Sequence, residues 1–341
     1  MLPILPTMGV GSYASPGWLT STRKMIDRGE LGARDVEELF EDALTVCISD
    51  QLHAGVDILT DGELRRQRFV FELYDAFEGL QRIEPSRRLG VTGYDMAPHF
   101  ARLESLSAPK GLGVVEDYKA LKHHAPSGHS LKISLPGPLT FARFIRTSES
   151  TVADLLEELV FLIRAEVEGL VSEGADFIQL DEPGLTNTPF DLSPMEAITI
   201  INETLYGFSC KSAVHICFGN NSGRPFANRS MQRLVPAMEA LQCSQLVLEF
   251  ANREMAELEI LSSLSKYFEI AAGVIDVKSF YLEPSDQVAD RIRQCLGVVP
   301  VSKLSITADC GFSALPRYLA RDKLIAMVAG TELVRNEISS S

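Results

Sequence analysis

The sequence predicts an α/β protein and, within that class, a (β/α)8 TIM barrel of 341 residues. Short apolar stretches alternate along the chain with amphipathic helical patterns, which is typical of a parallel sheet with helical crossovers. Eight such repeats fit a chain of this length, and this favours a closed barrel over an open doubly wound sheet. We therefore expect a single domain that spans 1–341.

The eight predicted strands are Leu5–Ser12, Val56–Glu63, Leu131–Pro136, Asp176–Glu182, Ala213–Gly219, Gln245–Phe250, Glu269–Asp276 and Leu304–Cys310. The clearest helix between them is Val152–Ser172, where apolar residues recur at helical spacing. The interval between the second and third strands is longer than a crossover requires. We predict an insertion at 65–128 that lies near the barrel mouth.

Charge and hydropathy exclude two classes of partner. The formal net charge is −14, from 32 basic and 46 acidic residues. This balance argues against nucleic acid or an anionic membrane as the main partner. No apolar run reaches the roughly 18–20 residues of a membrane helix, and the first residues lack the features of a signal peptide. Cytoplasmic residence is the resulting expectation.

Four potential metal ligands fall at the ends of predicted strands. His215 and Cys217 are two residues apart in the fifth strand, so their side chains point to the same face. Glu249 lies at the end of the sixth strand, and Cys310 ends the eighth. Because the carboxyl ends of barrel strands meet at one rim, these side chains are expected to converge. Two thiolates, one imidazole and one carboxylate suit a tetrahedral zinc ion.

Each of these residues also has a plainer explanation. A single His-x-Cys pair is a weak signal, and a glutamate at a strand end is common at barrel mouths. Cys310 alone is more typical of packing. Their joint occurrence at three strand ends, in a fold whose sites lie there, favours the metal site.

The order of short motifs resembles the catalytic barrel of cobalamin-independent methionine synthase, over nearly the whole chain. The four candidate ligands look like the zinc ligands of that family. The other matching motifs are Gly11-Ser12, Asp61-Gly62-Glu63, Pro136-Gly137-Pro138-Leu139-Thr140, Gln179-Leu180-Asp181-Glu182-Pro183 and Gly273-Val274-Ile275-Asp276. The resemblance implies a zinc-dependent methyltransferase. In it, the zinc-bound homocysteine thiolate attacks a methyl donor and gives methionine.

The resemblance also implies roles for individual residues. Glu63 and Asp181, as catalytic and substrate-binding positions, match residues that hold the homocysteine amino group. Ser12 matches a residue that meets the substrate carboxylate, and Asp276 is a further substrate-binding candidate. The alternatives are an ion pair between Glu63 and a following arginine, and backbone hydrogen bonds to Asp181. Because Asp181 belongs to the fourth strand, we expect it to be independent of the metal ligands.

Two departures from the family concern the methyl donor. The family enzymes have two barrels, whereas this chain has only the catalytic one. Phe144 stands where a tryptophan packs against the folate pterin. We therefore expect methyltetrahydrofolate to be a poor donor, and methylcobalamin or a corrinoid protein to be a better one.

Two other barrel chemistries remain open. The chain also resembles the epoxyalkane–coenzyme M transferases, in which a zinc-bound thiol is added to an epoxide. A metal-free barrel of the uroporphyrinogen decarboxylase type is the second alternative. Glu63 and Asp181 favour a small amino-acid thiol, since coenzyme M has no amino group for them to hold.

Overall fold

The computed structural model describes residues 2–66, 70–85, 97–219 and 228–340. Its strands are β1 Ile58–Leu59, β2 Glu78–Ile83, β3 His99–Ser107, β4 Ser130–Leu131, β5 Ile133–Pro136, β6 Ile145–Arg146, β7 Phe177–Asp181, β8 Lys211–Ile216, β9 Gln245–Glu249, β10 Glu269–Ile275 and β11 Leu304–Ala308. Its helices are α1 Gly17–Asp27, α2 Ala33–Ala54, α3 Val114–His124, α4 Pro138–Ala142, α5 Val152–Ser172, α6 Pro194–Leu205, α7 Val235–Met238, α8 Leu261–Leu264, α9 Ser285–Leu296 and α10 Arg317–Ser339.

Parallel pairing closes the strands into a ring, as the sequence predicts. β5, β7, β8, β9, β10 and β11 form one six-stranded sheet in this order. β4 pairs with β1 and continues into β5 after Lys132. Between the two remaining edges, Thr7 bridges to Ile306 of β11 and Met8 bridges to Ile58 of β1. These contacts provide eight strand positions around a closed barrel.

Most of the strands end earlier than predicted. Leu5–Ser12 contributes only its two bridging residues, and the fifth and eighth strands end at Ile216 and Ala308. Beyond the strand ends, several backbone donors bond to turns or side chains instead of the neighbouring strand. The Phe250 amide, for example, donates to Oδ1 of Asp309 at 2.8 Å. As a result, Cys217 and Cys310 lie in turns just after their strands.

Because side chains alternate along each strand, the residues of the outer core and those inside the barrel lie on opposite faces of the sheet. Ile178 and Leu180 of β7 belong to the large core, which packs the barrel against its helices. The opposite face of the strands carries a small apolar cluster inside the barrel, formed by Met8, Val10, Ile58, Phe177, Ala213, Val247 and Ala271. Gln179, His215 and Glu249 each follow a member of this cluster by two residues. They form a polar layer above the apolar cluster.

The helices cover the outside of the barrel. α5 has the predicted bounds and buries leucine, isoleucine and valine at i, i+4 and i+8, because 3.6 residues per turn place them on one face. α3 packs between α2 and α5, in the place of a crossover helix. No helix among the described residues combines the length and apolar character needed to cross a bilayer.

The segment 65–128 contains an antiparallel pair of strands outside the barrel. β2 pairs with β3, and β3 pairs in parallel with β6. Because β6 follows α4, which begins directly after β5, this three-stranded sheet is attached at the carboxyl end of the barrel. Residues 67–69 and 86–96 of the segment lie outside the described ranges.

Candidate metal centre

Three of the four predicted ligands meet at the carboxyl ends of β8 and β11. One ligand atom from each of His215, Cys217 and Cys310 lies within 4.8 Å of the other two. The two sulfur atoms are 3.9 Å apart. His215 and Cys217 are buried, and Cys310 is partly buried. Cys217 and Cys310, which are 93 residues apart in the sequence, thus join His215 in one group of nitrogen and sulfur donors.

Asp181 sets the orientation of the His215 ring. Nδ1 of His215 lies 2.9 Å from Oδ1 of Asp181, and the two side chains are 5% and 4% exposed. Burial lowers the pKa of His215, but the hydrogen bond to Asp181 and its charge outweigh burial, so the pKa is raised. Nε2 is buried and has no hydrogen-bond partner among the described residues. An orphaned ring nitrogen is costly, and a metal ion beside the thiols would satisfy it.

The expectation that Asp181 is independent of the metal ligands is therefore wrong. In the parallel pairing of β7 and β8, Asp181 is the register partner of His215. Both side chains point into the barrel, so adjacent strands bring the carboxylate and the ring into contact. A carboxylate that accepts from a ligating histidine is a common partner of zinc sites, because it selects the tautomer and the ring orientation.

The two thiols form an asymmetric pair. The hydrogen bond between the two thiols, in which either sulfur can be the donor, lowers the pKa of Cys310 to about 7; burial opposes this effect, and His215 assists it. The same hydrogen bond and burial raise the pKa of Cys217. The lowered pKa favours the thiolate of Cys310, the form in which a cysteine would bind a metal ion.

Glu249, the fourth predicted ligand, is paired with a lysine that the sequence analysis missed. Its Oε2 lies 2.9 Å from Nζ of Lys278, with the side chains 0% and 4% exposed. Glu249 is not part of the group within 4.8 Å. Its Oε1, however, is buried and has no hydrogen-bond partner among the described residues. The structure thus places Glu249 beside the group with one carboxylate oxygen available. In the sequence, the one indication that Lys278 belongs to the site is its position shortly after the seventh predicted strand.

Asp276 positions the turn that carries this lysine. Its Oδ1 accepts from the amide of Lys278 at 2.8 Å, and its own amide donates to Oε1 of Glu283 at 2.8 Å. A short side chain that bonds to the backbone two residues on is typical of an Asx turn. The contacts of Asp276 therefore support a structural role, and its substrate-binding role stays a prediction.

A second missed residue, Asp309, holds the turn after Glu249. Its carboxylate accepts from the amides of Phe250, Ala251 and Asn252 at 2.8, 2.8 and 2.6 Å. Burial, and then the charge of Glu249, raise its pKa to about 8 against these hydrogen bonds. A Cβ at Gly273 would lie 2.6 Å from Oδ1 of Asp309, so glycine allows this close approach. Asp309, which directly precedes Cys310, thus ties the turn after β9 to the segment that carries this cysteine.

Glu63 lies in a left-handed backbone conformation, with φ 52°, just after β1. It is 3% exposed, and its Oε1 accepts from the Ser134 hydroxyl at 2.7 Å. Its Oε2 lies 3.6 Å from Nη1 of Arg66, so the ion pair left open by the sequence exists, but Oε2 has no hydrogen-bond partner among the described residues. Burial raises the pKa of Glu63 to about 7, with Arg66 lowering it and Asp181 raising it. Strain of this kind in a non-glycine residue is often found at functional sites.

Two glycines make room for the predicted substrate residues. A side chain at Gly11 would overlap Oε1 of Glu63, and one at Gly311 would overlap Oγ of Ser12. The Ser12 carbonyl also accepts from the amide of Phe312 at 2.8 Å. Ser12 is thus placed beside the turn that contains Cys310.

Phe144 faces the three-stranded sheet. Its ring packs edge-to-face against Phe71, with centroids 4.8 Å apart, and lies 6.1 Å from the ring of His99. The phenylalanine that replaces the family tryptophan is therefore half-buried within an aromatic cluster of the described residues.

Comparison with known proteins identifies the family of the chain. Residues 5–332 match the family model described as cobalamin-independent synthase, catalytic domain. A methionine synthase from Saccharolobus solfataricus is 32% identical over 338 residues, which cover 99% of this chain and 97% of that protein. A homologous methionine synthase from Saccharolobus islandicus gives the same identity and coverage.

Solved structures agree at the level of the fold. The B12-independent methionine synthase from Shewanella sp. W3-18-1, in complex with selenomethionine, has a TM-score of 0.84 and 27% identity, with 99% of this chain and 100% of that chain covered. A putative vitamin-B12 independent methionine synthase from Listeria monocytogenes has a TM-score of 0.71 at 18% identity, over 99% of each chain, and shows the shared fold alone. The family description gives no support to the expected corrinoid donor. This chain belongs to the family of cobalamin-independent synthase catalytic domains.

Proposed function

We propose that this protein is a zinc-dependent methyltransferase that methylates the sulfur of homocysteine and releases methionine. The observation that carries the proposal is the group formed by His215, Cys217 and Cys310, with one buried ring nitrogen left without a partner. The relatives named methionine synthase support the reaction, and the bound selenomethionine of the Shewanella protein is an analogue of its product.

The residues present fit a zinc ion. His215, Cys217 and Cys310 would hold it together with Glu249, whose buried Oε1 lacks a partner among the described residues. Mixed nitrogen, sulfur and carboxylate donors are the usual set for tetrahedral zinc. When bound, the ion would lower the pKa of a substrate thiol, normally about 8.5, so that the sulfur is a thiolate at neutral pH.

Glu63 and Asp181 are proposed to bind the substrate ammonium. The pKa of Glu63 responds to the charge of Asp181, so the two carboxylates lie close to each other. Entry of an ammonium would relieve their repulsion and supply a hydrogen-bond donor to Oε2 of Glu63. Ser12, next to the Cys310 turn, is proposed to meet the substrate carboxylate. Together these groups orient the sulfur toward the donor cluster and exclude water from it.

Lys278 is proposed to keep the Glu249 carboxylate compensated. A buried carboxylate without a partner costs on the order of several kcal/mol. Because Lys278 binds Oε2, Glu249 has one permanent partner whether or not its other oxygen bonds to a metal. Glu249 would therefore not be an isolated buried charge if its Oε1 had no metal partner.

The chain is proposed to act as a single catalytic unit, with the segment 65–128 as a wall beside the barrel mouth. The attachment of β2, β3 and β6 at the carboxyl end of the barrel supports this role. The aromatic cluster around Phe144 faces the same side and is a candidate surface for the methyl donor.

The test is a direct assay on zinc-loaded protein. Homocysteine is supplied with either methyltetrahydrofolate or methylcobalamin, and methionine is measured by mass spectrometry. We expect methionine from at least one donor, and a loss of at least about 100-fold in Cys217→Ser. Cys210→Ser, a change at a partly buried cysteine away from the group, is the matched control. If neither donor gives methionine while the protein holds zinc, the proposed reaction is wrong.

A further inference from the structure

A completely buried lysine lies one layer below the candidate metal centre. Lys132, between β4 and β5, is 0% exposed. Its Nζ donates to the carbonyl of Gly9 and to Oε1 of Gln179, each at 2.7 Å, and lies 5.9 Å from the centre of the Phe177 ring. Burying an amine is costly, so such a residue needs compensating contacts or a function. The proposed reaction does not use Lys132.

Gln179 connects this lysine to the donor group. Its Nε2 donates to Oδ1 of Asp181 at 2.7 Å and to the carbonyl of Val10 at 2.9 Å. The same Oδ1 lies 2.9 Å from Nδ1 of His215. Four side chains thus form one continuous series of hydrogen bonds that ends at a proposed metal ligand. One comes from between β4 and β5, two come from β7 and one comes from β8.

Donor and acceptor types set the direction of this series. The Nζ of Lys132 acts as the donor and so requires the amide oxygen of Gln179. The Val10 carbonyl and the Asp181 carboxylate only accept, and so require the amide NH2 group. The orientation of the amide is therefore determined from both ends. Asp181 in turn requires the proton of His215 on Nδ1, which leaves the lone pair on Nε2.

We propose that Lys132 is a positioning residue of the metal centre, which acts through Gln179 and Asp181 to hold His215 in the tautomer with the proton on Nδ1. Without Lys132, the amide of Gln179 has no donor at its oxygen and is held at its NH2 end alone. Gln179 is then free to shift away from Asp181, which would weaken one of the two hydrogen bonds that fix the carboxylate beside His215. The inference rests on the proposed function only where it concerns metal affinity.

The first measurement is the zinc dissociation constant, by competition with a chromophoric chelator. Loss of an outer partner of a metal ligand typically weakens metal binding about 10–100-fold. Since Lys132 acts through two further side chains, we expect about 10-fold for Lys132→Met and for Gln179→Met. The double variant should be no weaker than Gln179→Met alone, because both changes interrupt one series. Gln179→Met removes no charge and keeps the test possible if Lys132→Met does not fold.

Lys323→Met is the matched control. Lys323 is also 0% exposed and donates to Oε2 of Glu283 at 2.6 Å, outside the series that ends at His215. Glu283 keeps Arg291 as a partner at 3.3 Å. This variant measures the general cost of removing a buried lysine. Its zinc dissociation constant should stay within about twofold of the wild type.

The second measurement needs neither metal nor activity. In metal-free protein labelled with ¹⁵N-histidine, at a pH high enough for the imidazole to be neutral, two-bond nitrogen–proton spectra report the His215 tautomer, with His215→Asn identifying its signals. We expect the Nδ1–H form in the wild type and in Lys323→Met, and a mixture in Lys132→Met. An unchanged tautomer in Lys132→Met, or zinc affinity within twofold of the wild type, overturns the inference. If the wild type binds no zinc, the proposed metal centre is wrong, and the tautomer still tests Lys132.

Discussion

Asp181 and His215 are register partners on adjacent strands, and their side chains meet at 2.9 Å inside the barrel. One carboxylate is therefore shared between the orientation of a proposed metal ligand and the proposed binding of the substrate ammonium. Under the proposed function this contact would couple substrate binding to the metal centre, whereas among the described residues the Glu63 side chain accepts from Ser134 and pairs with Arg66.

The contrast between the two carboxylates can be measured. Charge-assisted hydrogen bonds contribute roughly 1.5–3 kcal/mol, so Asp181→Asn and Glu63→Gln should each raise the homocysteine KM by about 10–100-fold. Only Asp181→Asn should also weaken zinc, by about 10-fold or more, because only Asp181 contacts His215. Steady-state kinetics and chelator competition test both statements. Equal zinc affinity in both variants would contradict the shared role of Asp181.

Loss of either thiol should remove the metal. Cys217→Ser and Cys310→Ser each take one sulfur from the group within 4.8 Å, and we expect most of the zinc to be lost in both. Metal content is measured by plasma mass spectrometry, with Cys210→Ser as the control that keeps its zinc. Full zinc content in both ligand variants would show that the metal is held elsewhere.

Removal of the metal should make the two thiols chemically accessible to each other. Their sulfur atoms are 3.9 Å apart, and the pKa of Cys310 is about 7. In chelator-treated protein, a mild oxidant should join Cys217 and Cys310, and alkylation of Cys310 should increase as the pH rises through about 7. Cys295, whose pKa burial raises to about 12, is the internal control and should stay unmodified. Peptide mass spectrometry identifies the products, and similar labelling of Cys295 and Cys310 would refute the prediction.

Asp309→Asn should destabilise the protein and disturb the metal centre. The carboxylate accepts three backbone amides and the side chain of Asn252, and an asparagine NH2 group would face donors instead of acceptors. A buried donor left unsatisfied costs about 1–3 kcal/mol. Urea unfolding measures this loss. Asp290→Asn, at an exposed ion pair with Arg293, should change stability by less than about 0.5 kcal/mol. Equal stability of the two variants would mean that the 250–252 turn does not depend on Asp309.

The closed barrel, the α5 bounds and the convergence of His215, Cys217 and Cys310 were predictable from the sequence, because each depends on local periodicity. Strands and helices repeat every 2.0 and 3.6 residues, so the residues that share a face follow from spacing alone. The carboxyl ends of parallel strands also meet at one rim whatever the details of packing. The strand ends were less predictable, because turns and side chains compete there with the neighbouring strand for backbone donors.

Contacts between distant segments were decided only by the tertiary structure. Asp181 and His215 are 34 residues apart, Glu249 and Lys278 are 29 apart, and Lys132 and Gln179 are 47 apart. The sequence alone placed Asp181, His215 and Glu249 at or near the carboxyl ends of strands, at the rim of the barrel. Which of them pair depends on the lateral register of neighbouring strands and on the path of each turn. Both are set by the packing of the whole barrel. A buried charged group can pair only with a partner that this packing places within hydrogen-bond distance.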